Sequence, residues 1–138
     1  MPLSKNLDVD QIKARKGFTL IGSEILAVEE VDSTNELAKR YFQNAAPEGM
    51  VFLAESQNKG KGRSGRTWHS PGKSGIYMSV LLKPDLETIQ VPPLTLMAGV
   101  ATVKAINEFS LLPATLKWPN DILLNGKKLG GILCELSF

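Results

Sequence analysis

The sequence predicts an α+β domain with a mixed, largely antiparallel sheet and helices packed on one face. Three observations carry that expectation. Residues 75–83 place Ile76, Met78, Val80 and Leu82 two apart, the period of a strand. Residues 92–110 place Leu96, Met97, Val100, Val103 and Ile106 at helical spacing. Asn125-Gly126 sits between two apolar runs, the strongest short-range signal for a β-hairpin. With 138 residues and no repeat, linker or low-complexity stretch, the chain reads as one domain over 1–138.

The elements follow in order. Residues 8–16 read as a short polar helix, and Glu24 to Val31 is a β-branched run that suits a strand. Ser33-Thr34-Asn35-Glu36 has the form of a capping box, with Ser33 accepting an amide of the first turn and Glu36 reaching back to the cap. Leu37, Ala38, Tyr41 and Phe42 then form one apolar face of a helix running to about Asn44. Met50 to Glu55 reads as a buried strand. Pro92-Pro93 open a helix that ends near Ser110, because its first positions need no amide partner, and its apolar face reads as core. Thr115–Trp118, Ile122–Leu124 and Lys127–Leu136 complete the chain as strands.

Composition excludes several classes of function. A net charge of +2 is too mild to announce a nucleic-acid or membrane partner by itself. Cys134 is the only cysteine, so the chain can form neither an internal disulfide nor a cysteine-based zinc site, and a reducing cytoplasm is the expected location. The first residues lack the apolar run of a signal peptide, and uninterrupted apolar runs are only a few residues long, so no membrane span is expected. His69, the only histidine, cannot make a metal site alone. Cys134, Trp68 and Trp118 are expected to pack rather than react.

Two segments stand out chemically. From Ser56 to Pro84 there is no acid, while Lys59, Lys61, Arg63, Arg66, Lys73 and Lys83 supply six of the sixteen cations. Gly60, Gly62 and Gly65 alternate with them, which suits a backbone that turns its amides toward an anion. Gly60 to Gly65 matches Gly-x-Gly-x-x-Gly as a string, but no helix pattern follows it, so a dinucleotide fold is excluded on context. A solvated loop that only confers solubility stays open, as does a basic nucleic-acid-binding module with Trp68 as a stacking platform. The second segment is Lys117-Trp118-Pro119-Asn120-Asp121, followed by Gly130-Gly131 inside a strand pattern. Paired glycines there mark either the close approach of a ligand or backbone, or a bulge without function.

Taken together, Asp32-Ser33-Thr34-Asn35, Glu55-x-Gln57, Gly60-Lys61-Gly62-Arg63-Ser64-Gly65-Arg66-x-Trp68, Lys117-Trp118-Pro119-Asn120-Asp121 and Lys127-Lys128-Leu129-x-Gly131-Ile132-Leu133-x-Glu135 resemble the biotin protein ligase catalytic domain over roughly residues 20–136. The resemblance implies a class II synthetase-like fold. It also implies synthesis of biotinyl-5′-adenylate from biotin and ATP with Mg2+, followed by transfer to a lysine of a biotin carboxyl carrier protein of acetyl-CoA carboxylase. Arg63 and Lys128 are the implied catalytic cations. Ser33, Thr34, Asn35, Gln57, Gly60, Lys61, Gly62, Arg63, Lys128 and Gly131 are the implied biotin-binding residues. Arg63, Arg66, Lys117, Asn120, Asp121 and Lys128 are the implied nucleotide-binding residues, and no residue is assigned as a metal ligand. Ser33 and Thr34 also suit helix capping, and both roles are compatible.

Two departures qualify the likeness. Lys61 stands where the family commonly has arginine, keeping the charge and losing the fork. The family's strands after the one containing Gly131, its small C-terminal β domain and the N-terminal helix-turn-helix of repressor members have no counterpart in this sequence. The expectation is an incomplete catalytic domain without operator binding, with the alternative of an inactive biotin-binding remnant and with self-association through an open sheet edge.

Overall fold

The structure is a computed structural model that describes residues 1–15, 17 and 20–138; the predicted end of the first helix at Lys16 lies outside the described residues. It divides into two compact units, Met1–Pro84 with Ser137 and Asp85–Leu136 with Phe138.

The first unit contains α1 (Val9–Arg15), β1 (Ile25–Val31), α2 (Thr34–Phe42), β2 (Val51–Gln57) and β3 (Tyr77–Val80). Its sheet has the order β1-β2-β3, with β1 parallel to β2 and β3 antiparallel to β2. A parallel pair needs a crossover, and α2 supplies it. The core lies between α2 and the sheet, where Val28, Val31, Leu37, Ala38, Met50, Phe52 and Ala54 pack together. Phe52 is completely enclosed, and Tyr41 meets its ring edge-on with centroids 5.3 Å apart. On the outer side of β1, Leu3 forms an antiparallel bridge to Val28, and the Ser4 amide donates to the Ala27 carbonyl at 3.0 Å.

Strand β3 lies within the predicted strand, and the structure shows which of its sides is buried. The alternation is there, but Ile76 and Met78 are 85% and 54% exposed, while Tyr77 and Ser79 face inward. Periodicity finds two faces without saying which is buried. Here the polar face turns inward because it has partners: the Tyr77 hydroxyl donates to the Pro71 carbonyl at 2.9 Å, and Ser79 bonds residues of α2.

The second unit contains α3 (Pro92–Ser110), β4 (Ala114–Lys117), β5 (Asp121–Leu124) and β6 (Lys127–Gly131), the strands forming an antiparallel sheet in sequence order. Asn125 and Gly126 both have positive φ, 51° and 75°, as the predicted hairpin turn requires. Helix α3 packs on β4 through Gly99, where a Cβ would lie 2.7 Å from Leu116 Cδ1. A larger residue there would require the Leu116 side chain to shift.

The α3 face, Trp118, the end of β6 and Cys134 each depart from expectation. Gly99 is the only buried residue of α3, and Met97, Val100 and Phe109 are exposed, so its apolar face is not core within this chain. Residues 88–110 are, by length and composition, apolar enough to cross a membrane, a property hidden when only uninterrupted apolar runs are read. Trp118 is 76% exposed rather than packed. Strand β6 stops at Gly131, short of the predicted Leu136, and Cys134 beyond it is exposed.

Candidate functional site

In the first unit the site is organised by the start of α2. Asp32 precedes the cap and is gripped by Arg40, whose Nη1 and Nη2 donate at 2.8 and 3.0 Å to the two carboxylate oxygens. The Arg40 hydrogen bonds are the main reason the Asp32 carboxyl is held down at about 2. Asp32 Oδ1 also accepts the Ser33 amide at 2.8 Å, so the donor that a capping box would give to Glu36 goes to Asp32. Ser33 is the N-cap as expected, its hydroxyl accepting from the Asn35 amide at 3.2 Å.

Behind this turn lies a chain of buried or half-buried polar groups. Gln57 Oε1 accepts from the Thr34 amide at 2.9 Å and from the Thr34 hydroxyl at 3.3 Å, while Gln57 Nε2 donates to Ser70 Oγ at 2.9 Å. An amide nitrogen can only donate, so the orientation of the Gln57 side chain is determined by Thr34. Ser70 in turn donates to the Trp68 carbonyl at 3.1 Å. On the other side, Ser79 Oγ is 2.8 Å from Thr34 Oγ1 and also hydrogen-bonds Asn35 Oδ1. Ser33, Thr34, Asn35 and Gln57 are thus brought together as the sequence proposed. Ser70 and Ser79 were not anticipated. Ser79 had one signal, a polar residue alternating with apolar ones in a strand; Ser70 had none.

The cationic loop is more built than a solvated one. Lys61 bridges Thr67, the Gly62 amide donates to the Arg66 carbonyl at 2.7 Å, and the Trp68 amide donates to the Gly60 carbonyl at 2.8 Å. The reason for Gly60 is not the positive φ expected of it but contact: a Cβ there would lie 2.3 Å from the Trp68 carbonyl oxygen and 2.6 Å from Ser70 Oγ. Gly62 is extended, with φ −109°, and the left-handed positions are Ser64 and, as expected, Gly65, at 57° and 72°. Arg63, Arg66 and His69 are exposed, and Trp68 is half-buried.

Lys61 reaches from the loop to α2. Its Nζ lies 2.6 Å from Glu36 Oε1, an oxygen that also accepts from Lys39 at 3.0 Å. These hydrogen bonds, Lys61 first, hold the Glu36 carboxyl below the usual range. The pair fastens the loop to α2. Because both side chains reach solvent, Glu36→Gln should change global stability by less than about 1 kcal/mol, yet speed amide hydrogen exchange in residues 61–68 by about 2- to 5-fold. Unaltered exchange in that loop would show that the ion pair restrains nothing.

In the second unit, Lys117 pairs with Asp121 across β4 and β5, and the Asn120 side-chain amide donates to the Ile132 carbonyl at 3.0 Å. Lys128 Nζ lies 2.8 Å from Asp121 Oδ1. The register changes from Ile122↔Gly130 to Leu123↔Lys128, so Leu129 is the extra residue of a β-bulge. A bulge thus lies beside the Gly130-Gly131 pair. A Cβ on Gly131 would approach nothing nearer than 3.7 Å, so no protein backbone demands glycine there. Among the described residues no group of three or more His, Cys, Asp or Glu could hold a metal.

The arrangement has relatives. The family profile described as the biotin/lipoate A/B protein ligase family matches residues 27–138. The bifunctional ligase/repressor BirA of Bacillus subtilis is 42% identical over 117 residues, which are 85% of this chain and 36% of that protein. The biotin--[acetyl-CoA-carboxylase] ligase of Mycobacterium tuberculosis is 36% identical over 80% of this chain and 43% of its own length. A solved structure of biotin protein ligase from Aquifex aeolicus, in complex with biotin and ATP, superposes with a TM-score of 0.74 at 37% identity, covering 83% of this chain and 47% of that one. The chain spans less than half the length of each of these relatives, and its α+β architecture is that of the ligases it superposes on. A family profile covering residues 27 to 138, supported by these likenesses, places the chain in the biotin/lipoate A/B protein ligase family.

Proposed function

We propose that the chain performs the biotin protein ligase reaction. A biotin carboxylate oxygen attacks the α-phosphorus of ATP, pyrophosphate leaves, and biotinyl-5′-adenylate forms. The amine of a carrier-protein lysine then attacks the acyl carbon, and AMP departs. The observation that carries this reading is the polarity of the buried hydroxyls. The Thr34 hydroxyl donates inward to Gln57 Oε1 and accepts from Ser79, so its proton is taken and Thr34 offers a ligand only a lone pair. Ser33 uses a lone pair on the Asn35 amide, which leaves its proton for a ligand acceptor. An acceptor beside a donor suits a cyclic urea, whose carbonyl is flanked by N–H groups, and biotin carries one.

Joining two anions demands positive charge. Arg63 offers forked donors to phosphate oxygens and Lys128 a compact charge, which lowers the energy of the transition state without any covalent nucleophile. Lys117 and Arg66 add charge for the polyphosphate. Asp121 and the Asn120 carbonyl oxygen are hard donors of the kind Mg2+ accepts, and one carboxylate suffices when the nucleotide supplies the remaining oxygens. Bound Mg2+ would neutralise phosphate charge. The acceptor in this reading is the biotin carboxyl carrier protein of acetyl-CoA carboxylase, and the setting is the cytoplasm. We assign α3 to the soluble fold rather than to a bilayer, which its Gly99 contact with Leu116 and its charged Lys104 and Glu108 support. The proposal covers ligation, and not the repression named for the Bacillus relative.

Incubation of the chain with biotin, Mg2+ and ATP labelled at the α-phosphate should yield labelled biotinyl-adenylate. Failure to bind biotin at millimolar concentration would overturn the reading.

A further inference from the structure

We infer that Ser79 is a positioning residue that sets the polarity of the ligand-facing hydroxyl of Thr34; this rests on the assignment of that hydroxyl to biotin. Ser79 is on β3 and Thr34 and Asn35 open α2, 45 and 44 residues earlier. It is buried, and its hydroxyl bonds both of them.

The argument is a count of protons. Ser79 carries one hydroxyl proton and Thr34 carries one. Gln57 Oε1 already accepts the Thr34 amide, so its contact with the Thr34 hydroxyl, at 3.3 Å, is the longer of the two open to that proton; Ser79 Oγ lies at 2.8 Å. The Ser79 proton has a good acceptor in Asn35 Oδ1. In the structure Thr34 donates to Gln57, and Ser79 donates toward Thr34 and Asn35. In the alternative arrangement Thr34 donates to Ser79 and Ser79 to Asn35. In both, the Thr34 proton is directed into the protein, and the site presents an acceptor.

Without the Ser79 hydroxyl, the Thr34 proton keeps only the longer contact and can swing toward the ligand. A site that had required a donor would then tolerate an acceptor. Buried groups make such discrimination strong, because a mismatched lone pair has no water to turn to. Ser79 touches no substrate atom in this account and acts through Thr34 and Asn35.

The test compares biotin with the isosteric analogue in which a ureido N–H is replaced by oxygen, each nitrogen in turn, using calorimetric affinities on the full chain. Ser79→Ala should weaken biotin binding by about 5- to 10-fold, the effect of one buried hydrogen bond. It should also reduce the preference for biotin over at least one oxygen analogue by about 5-fold or more, a ratio that general loosening of the fold leaves unchanged. Ser79→Cys keeps the volume with a weak donor and acceptor and should lie between the two; it carries the same readout if Ser79→Ala does not fold. Biotin binding by the unaltered chain together with unchanged preference ratios in the variants would overturn the role of Ser79 alone. No biotin binding by the unaltered chain would overturn both the role and the biotin assignment.

Discussion

Replacing Lys128 with alanine should lower biotinyl-adenylate formation by about 100- to 1,000-fold, the scale on which a preorganised donor or charge acts at a developing anion. The lysine sits on β6 beside the bulge at Leu129, and its ammonium is held 2.8 Å from Asp121 Oδ1. That contact restrains a long side chain. Biotin affinity should change far less than rate, because a charge used in the transition state contributes mainly to turnover. Lys128→Arg should restore only part of the loss, since a planar fork replaces a compact charge. Lys127→Ala, one residue earlier on the same strand, is the control and should leave the rate near that of the parent. Labelled adenylate measured in single turnover separates these outcomes, and equal losses for Lys127 and Lys128 would show that only net charge matters.

The second large effect is on stability. Phe52→Ala should cost about 3 to 5 kcal/mol, because the enclosed ring leaves a cavity that β2 and α2 cannot close. Phe52 has no exposed surface and contacts a core built from β1, α2 and β2, with Tyr41 edge-on. A domain of this size is stabilised by only about 5 to 15 kcal/mol, so the loss is a large fraction of the total. The variant should also lose biotin binding, since α2 carries Thr34 and β2 carries Gln57. Phe109→Ala is the contrast: that ring is 90% exposed on α3, and its removal should change stability by less than about 0.5 kcal/mol. Urea unfolding of the two variants checks both statements.

What could be read in the sequence depended on whether the signal was local. The Ser33 cap, the Asn125-Gly126 turn and the prolines that open α3 are set by neighbours in the chain, and each is where local chemistry put it. Burial was harder to read. The alternation around Met78 did not say which side faces the core, because Tyr77 and Ser79 have hydrogen-bond partners off the strand that no spacing reveals. The same applies to α3, whose helical period was legible while the extent of its burial was not. In the candidate site, Ser33, Thr34 and Gln57 were identified by their resemblance to a family motif. Their connection through Ser70 and Ser79 required three dimensions. Gly60 was singled out correctly for the wrong reason, since steric contact with Trp68 and Ser70 lies beyond any one-residue rule.

The short ribbon at residues 2–4 also has a practical side. By lying along β1, with the Glu29 amide donating to the Pro2 carbonyl at 3.2 Å and Leu3 facing Val28, it occupies hydrogen-bonding positions that would otherwise be a template for another chain. Those residues act as a seal on that border, and their loss should favour sheet-to-sheet clumping.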